Sequence, residues 1–441
     1  MLRRAGIACL MAVVLSGVCA TLTSSRVGAI EKPGDADWPQ WRGPHRDAIS
    51  AEKGLLSSWG EKGPPLAWEA KGLGSGFSSV SIHKGHIVTM GKRGAELYLT
   101  ALSTKDGSEL WATKLLDKAD KQPNCTPTIA DNMVYALGTA GDLFCVSLEK
   151  GDIVWHKNFP KDLGGKMMSG WGYSESPLID GDRLICSPGA KDAAIAALDK
   201  KTGEVIWKAP FPEPGIGNRG GDGAGYSSII VSNGAGVKQY VQLMGRGVIS
   251  VAAEDGKFLW GYNRVANGTA NIPTPIIHED YVFCSSGYGT GSALLKLVKD
   301  GDTGVKAEEV YFLDAKTMQN HHGGMIMVGD YIYCGNQHNQ GFPFCLEWKT
   351  GKVKWNPGRG PGKGSAAIVY ADGQLYFRYQ SGTMALIAAS PEGYKENGVF
   401  EPPHGGDPSW AHPVVAGGRL YLREQDALYC YNIAASEVAS R

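Results

Sequence analysis

The sequence has no excess of charge of either sign. It contains 44 Lys and Arg residues and 44 Asp and Glu residues among its 441 positions, so its formal net charge is zero. A basic surface that would hold nucleic acid by its phosphates is therefore not indicated. The same balance gives no support to electrostatic attachment to a membrane.

The common short motifs of enzyme active sites are also missing. No Cys-x-x-Cys, Gly-x-Ser-x-Gly or His-Glu-x-x-His pattern occurs. Residues 215–220 spell G-x-G-x-x-G, but they follow a proline-rich segment and precede no helical pattern, which a dinucleotide site requires. Residues 359–365 resemble a phosphate-binding loop but lack its first glycine and the Ser or Thr after the lysine. Both segments are interpreted as turns.

Long apolar runs are scarce, and the single clear one lies near the start. Residues 7–18 are apolar and follow a basic beginning, Met1-Leu2-Arg3-Arg4. This arrangement is typical of a secretory signal peptide, whereas a membrane span needs about 20 apolar residues. Cleavage after Ala20 or after Ala29 satisfies the small-residue rule. We therefore expect residues 1–29 to be a signal peptide and the mature chain to lie in the periplasm or outside the cell, without a transmembrane segment.

Cysteine gives no disulfide framework. Nine cysteines are present, and seven remain once the signal peptide is removed. Several end strand-like runs, such as Cys186 and Cys284, which predicts buried free thiols that behave as small apolar residues. A disulfide between Cys334 and Cys345 remains an alternative, because an exported protein can keep one.

What the sequence does have is a repeat. A glycine is followed four positions later by a tryptophan five times: Gly107/Trp111, Gly151/Trp155, Gly203/Trp207, Gly256/Trp260 and Gly351/Trp355. The first four copies lie 44 to 53 residues apart, a spacing typical of repeat architectures. Short β-branched and aromatic runs alternate with Asp, Asn and Gly turns, which is the signal of hairpins. Four such strands make one propeller blade.

The arithmetic of the repeats predicts an all-β protein, an eight-bladed β-propeller of four-stranded antiparallel blades, over residues 65–441. Seven units read as complete, although two of them lack the tryptophan, and the last unit gives only three strands. Residues 65–70 read as a fourth strand with no strands before it, so we expect them to complete the last blade and close the ring. Residues 30–64 form an N-terminal arm. Its Trp38 and Trp41 would be costly to leave in water, so the arm is expected on the outside or rim of the propeller.

The repeat Ala-Leu-x-x-x-x-Gly-x-x-x-Trp resembles that of the pyrroloquinoline quinone (PQQ)-like propeller family. This family includes the quinoprotein alcohol dehydrogenases and a propeller lipoprotein of outer-membrane protein assembly. Residues 38–50 resemble the opening of many exported PQQ-like repeat proteins of planctomycete bacteria. The resemblance implies the propeller fold across nearly the whole mature chain. It says little about function, because one fold hosts unrelated activities.

Candidate site residues lie in the loops that join the fourth strand of one blade to the first strand of the next. In a propeller these loops meet at one end of the central channel, which is called the loop face below. The ligand-binding candidates there are Trp171, Tyr173, Glu175, Tyr226, Asn271, His321, His322, Lys363, Trp410 and His412. Aromatic walls with a few convergent polar groups predict a small-ligand pocket. The alternative is that these side chains fill the channel mouth and satisfy one another by hydrogen bonds.

The resemblance to quinoproteins implies a second assignment for some of these residues. Such enzymes hold PQQ over an aromatic floor, beside Ca²⁺ bound by carboxylate and amide oxygens, with an Asp as base. Glu175 and Asn271 are the candidate calcium ligands, Asp222 is the candidate base, and Trp171 or Trp410 would be the floor. The adjacent cysteine pair of many of these enzymes is absent. His321 and His322 could share another metal only if their segment is a loop, because strand neighbours point to opposite faces.

These observations favour an exported, monomeric binding or scaffold protein that recognises an envelope protein or a glycan through its loop face, without a cofactor. The alternative is a PQQ- and Ca²⁺-dependent oxidoreductase acting on alcohols or sugars. A third hypothesis, glycan cleavage, needs two carboxylic acids within reach of one bond.

Overall fold

The computed structural model describes residues 37–302 and 304–438. The expected signal peptide, with its alternative cleavage sites at Ala20 and Ala29, lies outside the described residues, as does the beginning of the arm. The described residues contain few helical turns: Phe159–Leu163, Ala435–Val438 and a 3₁₀ turn at Gly234–Gly236. None of these helices has the length or the apolar composition to cross a membrane.

The described part of the chain forms eight antiparallel sheets, which confirms the predicted propeller. Blade 1 consists of Ser81–His83, His86–Arg93, Glu96–Ser103 and Glu109–Leu116, and blade 2 consists of Thr128–Ala130, Met133–Leu137, Asp142–Ser147 and Ile153–Asn158. Blade 3 consists of Leu178–Asp180, Arg183–Cys186, Ile195–Asp199 and Val205–Ala209, and blade 4 consists of Ile230–Ser232, Gln239–Met244, Gly247–Ala252 and Phe258–Tyr262. Blade 5 consists of Ile276–His278, Tyr281–Ser286, Gly291–Asp300 and Gly304–Leu313, and blade 6 consists of Met325–Val328, Tyr331–Asn336, Phe342–Glu347 and Lys352–Trp355. Blade 7 consists of Ala366–Ala371, Gln374–Tyr379, Met384–Ala388 and Glu396–Phe400, and blade 8 consists of Val414–Ala416, Arg419–Glu424, Ala427–Asn432 and Leu66–Ala70.

The first strand of each blade lines the central channel. First strands of neighbouring blades contact one another around most of the ring, for example those of blades 1 and 2 and those of blades 7 and 8. Within each sheet the strands follow in chain order from the first to the fourth. The fourth strands are therefore outermost, and the free edges of the first strands face the axis.

The ring is closed by the strand near the N-terminus, as the sequence predicts. Leu66–Ala70 pairs antiparallel with Ala427–Asn432, and Trp68 stands opposite Cys430 in this pairing. Two segments more than 350 residues apart thus share one blade. The closure links the beginning of the described chain to its end.

The glycine and the aromatic residue of the repeat meet across blade boundaries. A Cβ atom on Gly107 would lie only 2.6 Å from Cε3 of the Trp68 indole, so the ring occupies the space of a side chain there. The same contact joins Gly151 with Trp111, Gly203 with Trp155, Gly256 with Trp207, and Gly351 with Tyr311. In each case the ring from one blade covers the turn glycine of the next blade. We call this contact the ring–glycine clasp.

Two clasps are fixed further by a hydrogen bond from the indole. Trp111 Nε1 donates to Leu148 O at 2.7 Å, and Trp155 Nε1 donates to Lys200 O at 3.1 Å. Both acceptors lie in the blade that follows. The tryptophan of one repeat therefore stabilises the next repeat rather than its own hairpin alone.

The arm does not follow the expected course over its whole length. Residues 37–50 run along the inner edges of the first strands: Trp38 exchanges backbone hydrogen bonds with Ile82, and Ile129 N donates to Pro39 O. Ile49–Ser50 then pairs in parallel with the first strand of blade 7. The expectation of an outer or rim position is wrong for this part, because the free strand edges inside the channel supply backbone partners.

The second half of the arm lies on the outside, as expected. Leu56 N donates to Ile433 O, and the Trp59 ring packs against Tyr376 and Phe400 of blade 7. The arm thus passes from the channel to the outer surface between blades 7 and 8 before it enters the closing strand.

The seven cysteines in the described residues are buried and free. The alternative disulfide does not form, because Cys334 stands opposite Phe344 while Cys345 stands opposite Tyr333. Cys334 and Cys345 therefore point to opposite faces of the sheet.

The ring–glycine clasp predicts a difference between two glycine substitutions in blade 1. Gly94 and Gly107 both have positive φ, 63° and 73°, so alanine is strained at each by about 1 kcal/mol. Nothing lies within 4 Å of a Cβ at Gly94, whereas the Trp68 ring occupies that space at Gly107. Gly107→Ala should therefore lower the free energy of unfolding by about 2 kcal/mol more than Gly94→Ala. Equal losses in urea denaturation would contradict the clasp.

Candidate binding site at the loop face

Aromatic rings from four blade junctions meet at the loop face. The Trp410 ring lies 4.7 Å from Phe77, 5.3 Å from His322 and 6.4 Å from Trp171, measured between centroids. Its Nε1 donates to Gln380 Oε1 at 3.0 Å. The structure therefore brings three of the sequence candidates, Trp171, His322 and Trp410, into one cluster.

Trp171 is the exposed member of this cluster. Its side chain is 56 % exposed, although its backbone is fixed on both sides. Its N–H donates to Tyr226 Oη at 3.2 Å, and its carbonyl accepts from Asn124 Nδ2 at 3.4 Å. Tyr226 Oη also bonds Ser169 Oγ of the same loop at 2.6 Å. A rigid loop thus holds an indole in contact with water.

A histidine group continues the cluster toward blade 5. The His321 ring lies 4.7 Å from His322 and 4.4 Å from His338, and its Nε2 lies 3.1 Å from Tyr288 Oη. Its Nδ1 is 2.6 Å from Ser365 Oγ, so both ring nitrogens are engaged. Burial, together with the neighbouring histidines, lowers the pKa of His321 to about 3. The imidazoles are therefore neutral at neutral pH.

His321 and His322 do lie in a loop, which is the condition for a shared metal. His321 nevertheless offers no free nitrogen, because Ser365 and Tyr288 hold both. Across residues 37–302 and 304–438, no group of three or more His, Cys, Asp or Glu side chains is arranged to hold a metal ion. The geometry favours a hydrogen-bonded histidine group.

The arm forms the floor beneath this mouth. The His412 ring meets the Trp41 ring edge-on at 4.4 Å, and its Nε2 donates to His322 O at 3.2 Å. Burial, with a smaller contribution from the Arg42 charge, lowers the pKa of His412 to about 3. Trp41 Nε1 also reaches Thr274 of blade 5 at 3.5 Å, so this side chain extends from one side of the channel toward the other.

Glu175 is buried inside the ring rather than in the mouth. Its Oε1 accepts from Ser187 N at 2.5 Å, and its Oε2 accepts from Gln242 Nε2 at 3.2 Å. Burial raises the pKa of Glu175 to about 7, against the opposing effects of the Ser187 hydrogen bonds and the Arg46 charge. A carboxyl group with such a pKa exchanges a proton near neutral pH.

Four other candidates do not join the mouth cluster. Tyr173 is buried between blades and donates to Pro188 O at 2.9 Å. The side chain of Asn271 is engaged with the backbone, because its Nδ2 donates to the Met244 carbonyl at 3.0 Å. Asp222 is 52 % exposed and pairs with Arg246 at 2.5 Å, and Lys363 is exposed.

Two residues of the histidine group, Tyr288 and His338, were not among the candidates predicted from the sequence. Tyr288 and His338 lie in the turns between the second and third strands of blades 5 and 6. These turns share one end of the blade with the loops that the sequence singled out, because the strands alternate in direction. Looking at both sets of connections would have found them.

The donor set does not fit Ca²⁺. This ion takes six to eight oxygen ligands, but the oxygens of Glu175 already accept from Ser187 and Gln242, and Asn271 Oδ1 accepts from Asn267 N at 3.0 Å. The buried guanidinium groups of Arg42 and Arg46 occupy the channel nearby, and a cation is repelled by them. These residues do not build a quinoprotein metal site.

The chain matches one protein-family model, described as outer membrane protein assembly factor BamB. The matches cover residues 25–156 and 95–357, which together are well over half of the chain. The likeness to PQQ-like repeats that the sequence suggested is thereby confirmed.

Two curated relatives are outer membrane protein assembly factors BamB. The protein of Yersinia pestis is 19 % identical over 55 % of this chain and 56 % of its own length. The protein of Shewanella oneidensis is 22 % identical over 64 % of this chain and 68 % of its own length. The chain thus matches between about half and two thirds of these relatives.

Solved structures show the same fold. BamB from Moraxella catarrhalis has a TM-score of 0.58 at 13 % identity, and covers 83 % of this chain and 97 % of its own. The quinohemoprotein alcohol dehydrogenase of Comamonas testosteroni has a TM-score of 0.62 at 12 % identity, and covers 91 % of this chain and 81 % of its own. At such identities the likeness concerns the fold alone.

The raised pKa of Glu175 predicts a pH-dependent stability. The folded chain binds the proton with a pKa of about 7, against an ordinary value of 4.5. The stabilisation is thus complete below pH 4.5 and is lost as the pH rises through about 7, a change of a few kcal/mol. Glu175→Gln should remove this dependence, measured as the free energy of unfolding between pH 4.5 and 8.

Glu149→Gln is the matched control, because the Glu149 side chain is 64 % exposed. It should keep the pH dependence of the unsubstituted chain. A Glu175→Gln profile parallel to that of the control would contradict the assignment.

Proposed function

The chain belongs to the family of BamB-type PQQ-repeat propellers, and from this we propose that it is a binding or scaffold protein of the cell envelope. It acts as a monomer and holds its partner at the loop face. The partner is an envelope protein or a glycan, and nucleic acid is not bound. The observation that carries the proposal is the exposed Trp171 on a fixed loop.

An indole in water is costly unless a partner covers it. Trp171 keeps more than half of its surface exposed although Tyr226 and Asn124 hold its backbone in place. Aromatic side chains that are rigid before binding are typical centres of binding energy, because little conformational freedom is lost on association. Trp410 beside it extends the aromatic surface, and Gln380 adds a neutral polar group.

The quinoprotein alternative is supported by the fold likeness to alcohol dehydrogenases and by nothing in the donor set. Glu175 and Asn271 are engaged elsewhere, and Asp222, the candidate base, pairs with Arg246 on the surface. Glycan cleavage is disfavoured for a related reason, because Glu175 is buried and Asp222 is held by Arg246, so these two acids do not supply the required pair.

A tryptophan substitution tests the loop face. Trp171→Ala should weaken binding of the partner recovered by in-cell cross-linking and purified from the envelope fraction. The expected loss is about 2 kcal/mol or more, roughly 30-fold in Kd by calorimetry. The thermal unfolding temperature should not change, because the side chain is mostly in water.

The matched control is Ile206→Ala, which removes a side chain with 46 % exposure from the outer strand of blade 3. This variant should bind like the unsubstituted chain. Equal affinity of the two variants for the partner would contradict the proposal. Binding of PQQ with Ca²⁺, together with reduction of an electron acceptor by an alcohol, would also contradict it.

The envelope location rests on residues 1–29 as a signal peptide. The chain produced in a bacterium should be recovered outside the cytoplasm with Thr21 or Ile30 at its N-terminus, read by mass spectrometry. Replacing Arg3 and Arg4 by Glu should slow the export, because the basic start is lost. Recovery of the unprocessed chain in the cytoplasm would contradict this location.

A further inference from the structure

We propose that the channel end opposite the loop face binds a small carboxylate with an apolar body, in a cavity between the arm and the first strands of blades 3 to 6. The cavity has a volume of about 620 Å³. This size lies within the range of small-molecule sites, about 300–1,000 Å³. The proposal does not depend on the function proposed for the loop face.

The cavity exists because the arm lies off the channel axis. Backbone hydrogen bonds fix the arm to blade 1 at Ile82, to blade 2 at Ile129 and to blade 7 at Tyr370. Blades 3 to 6 have no such backbone pairing with the arm in the described residues, so a gap remains on their side.

The wall on the side of the blades is mainly apolar. It is lined by the first strands of four blades through Leu178, Ile230, Val231, Ile276, Ile277 and Met327. The lining also includes His278, the last residue of its strand, and Gly329, in the turn before the second strand, so the cavity extends to the channel end away from the loop face. Such a wall suits a hydrocarbon body.

The wall on the side of the arm is cationic. Arg42 and Arg46 line the cavity and are only 5 % and 3 % exposed. Among the described residues, neither guanidinium lies within 4.0 Å of a carboxylate oxygen. Arg42 donates to the carbonyls of Asp47 and Met325, and Arg46 donates to those of Ser176 and Pro177 and to Gln40 Oε1. These acceptors are neutral.

Glu175 acts on Arg46, and Asp47 on Arg42, only through space and without an ion pair, so two buried positive charges with neutral hydrogen-bond partners remain available to an anion. A guanidinium that leaves water without a counter-charge is destabilising, and burial lowers the pKa of both Arg42 and Arg46 to about 10. The Nε atom of each is buried without a hydrogen-bond partner. Asp47 also lines the cavity, but its Oδ1 already accepts from Ile49 N at 3.0 Å, and burial raises its pKa.

The two walls together define the ligand class. A carboxylate accepts charge-assisted hydrogen bonds from guanidinium groups, which are stronger than neutral ones, and an alkyl body covers the apolar strand residues. An alcohol with the same body lacks the charge, and a quaternary ammonium carries the wrong sign. The site should therefore discriminate by head group as well as by chain.

The experiment is isothermal titration of the purified chain with dodecanoate below its micellar concentration. We expect saturable binding of one molecule, at least tenfold tighter than that of dodecanol and of dodecyltrimethylammonium. No saturable binding, or equal binding of the three, would overturn the proposal.

Variants locate the site. His45 lines the cavity and is exposed, so His45→Trp should fill the space without loss of stability and weaken dodecanoate binding at least tenfold. Val205→Trp, on the outer surface of blade 3, is the control and should bind normally. Unchanged binding by His45→Trp would overturn the assignment. Arg46→Gln tests the charge, but it also removes the hydrogen bonds that hold the arm to Ser176 and Pro177. If Arg46→Gln does not fold, the result with His45→Trp decides.

Discussion

The contact of an aromatic ring with the turn glycine of the following blade is the constraint on which the structure depends. The glycine must adopt a positive φ, and it must also lack a Cβ because the ring fills that space, as for Gly151 beneath Trp111. One residue type meets both requirements. The contact recurs around the ring, and at Gly107 the partner is Trp68 of the closing strand, so the same interaction that joins other neighbouring blades also joins blade 8 to blade 1.

The fold could be predicted because its signals are local and repeated. Turn glycines, short apolar runs and tryptophans mark each hairpin, and the three-stranded last unit leaves one strand to be supplied by residues 65–70. What the repeat did not reveal is that Gly203 and Trp207, four positions apart, serve different interfaces: Gly203 receives Trp155, and Trp207 covers Gly256. Sequence spacing records which residues recur, whereas the contact partner lies in another repeat.

The candidate site was predictable only in part, for a physical reason. Loops between blades do gather at one end, and Trp171, His322 and Trp410 do meet there. Tyr173 and Asn271, from the same loops, instead satisfy buried backbone groups, because every loop needs such internal partners. The course of residues 37–50 was missed altogether, since a segment outside the repeat carries no periodic signal for where it docks.

The arm divides the channel into two chemically different ends. On the loop-face side, Trp41 supports a mouth of neutral imidazoles and indoles, and on the other side Arg42 and Arg46 give a cationic wall to an apolar cavity. The guanidinium charges oppose a divalent cation anywhere near the axis. The blades provide the frame, and the arm decides which charge the channel can accept.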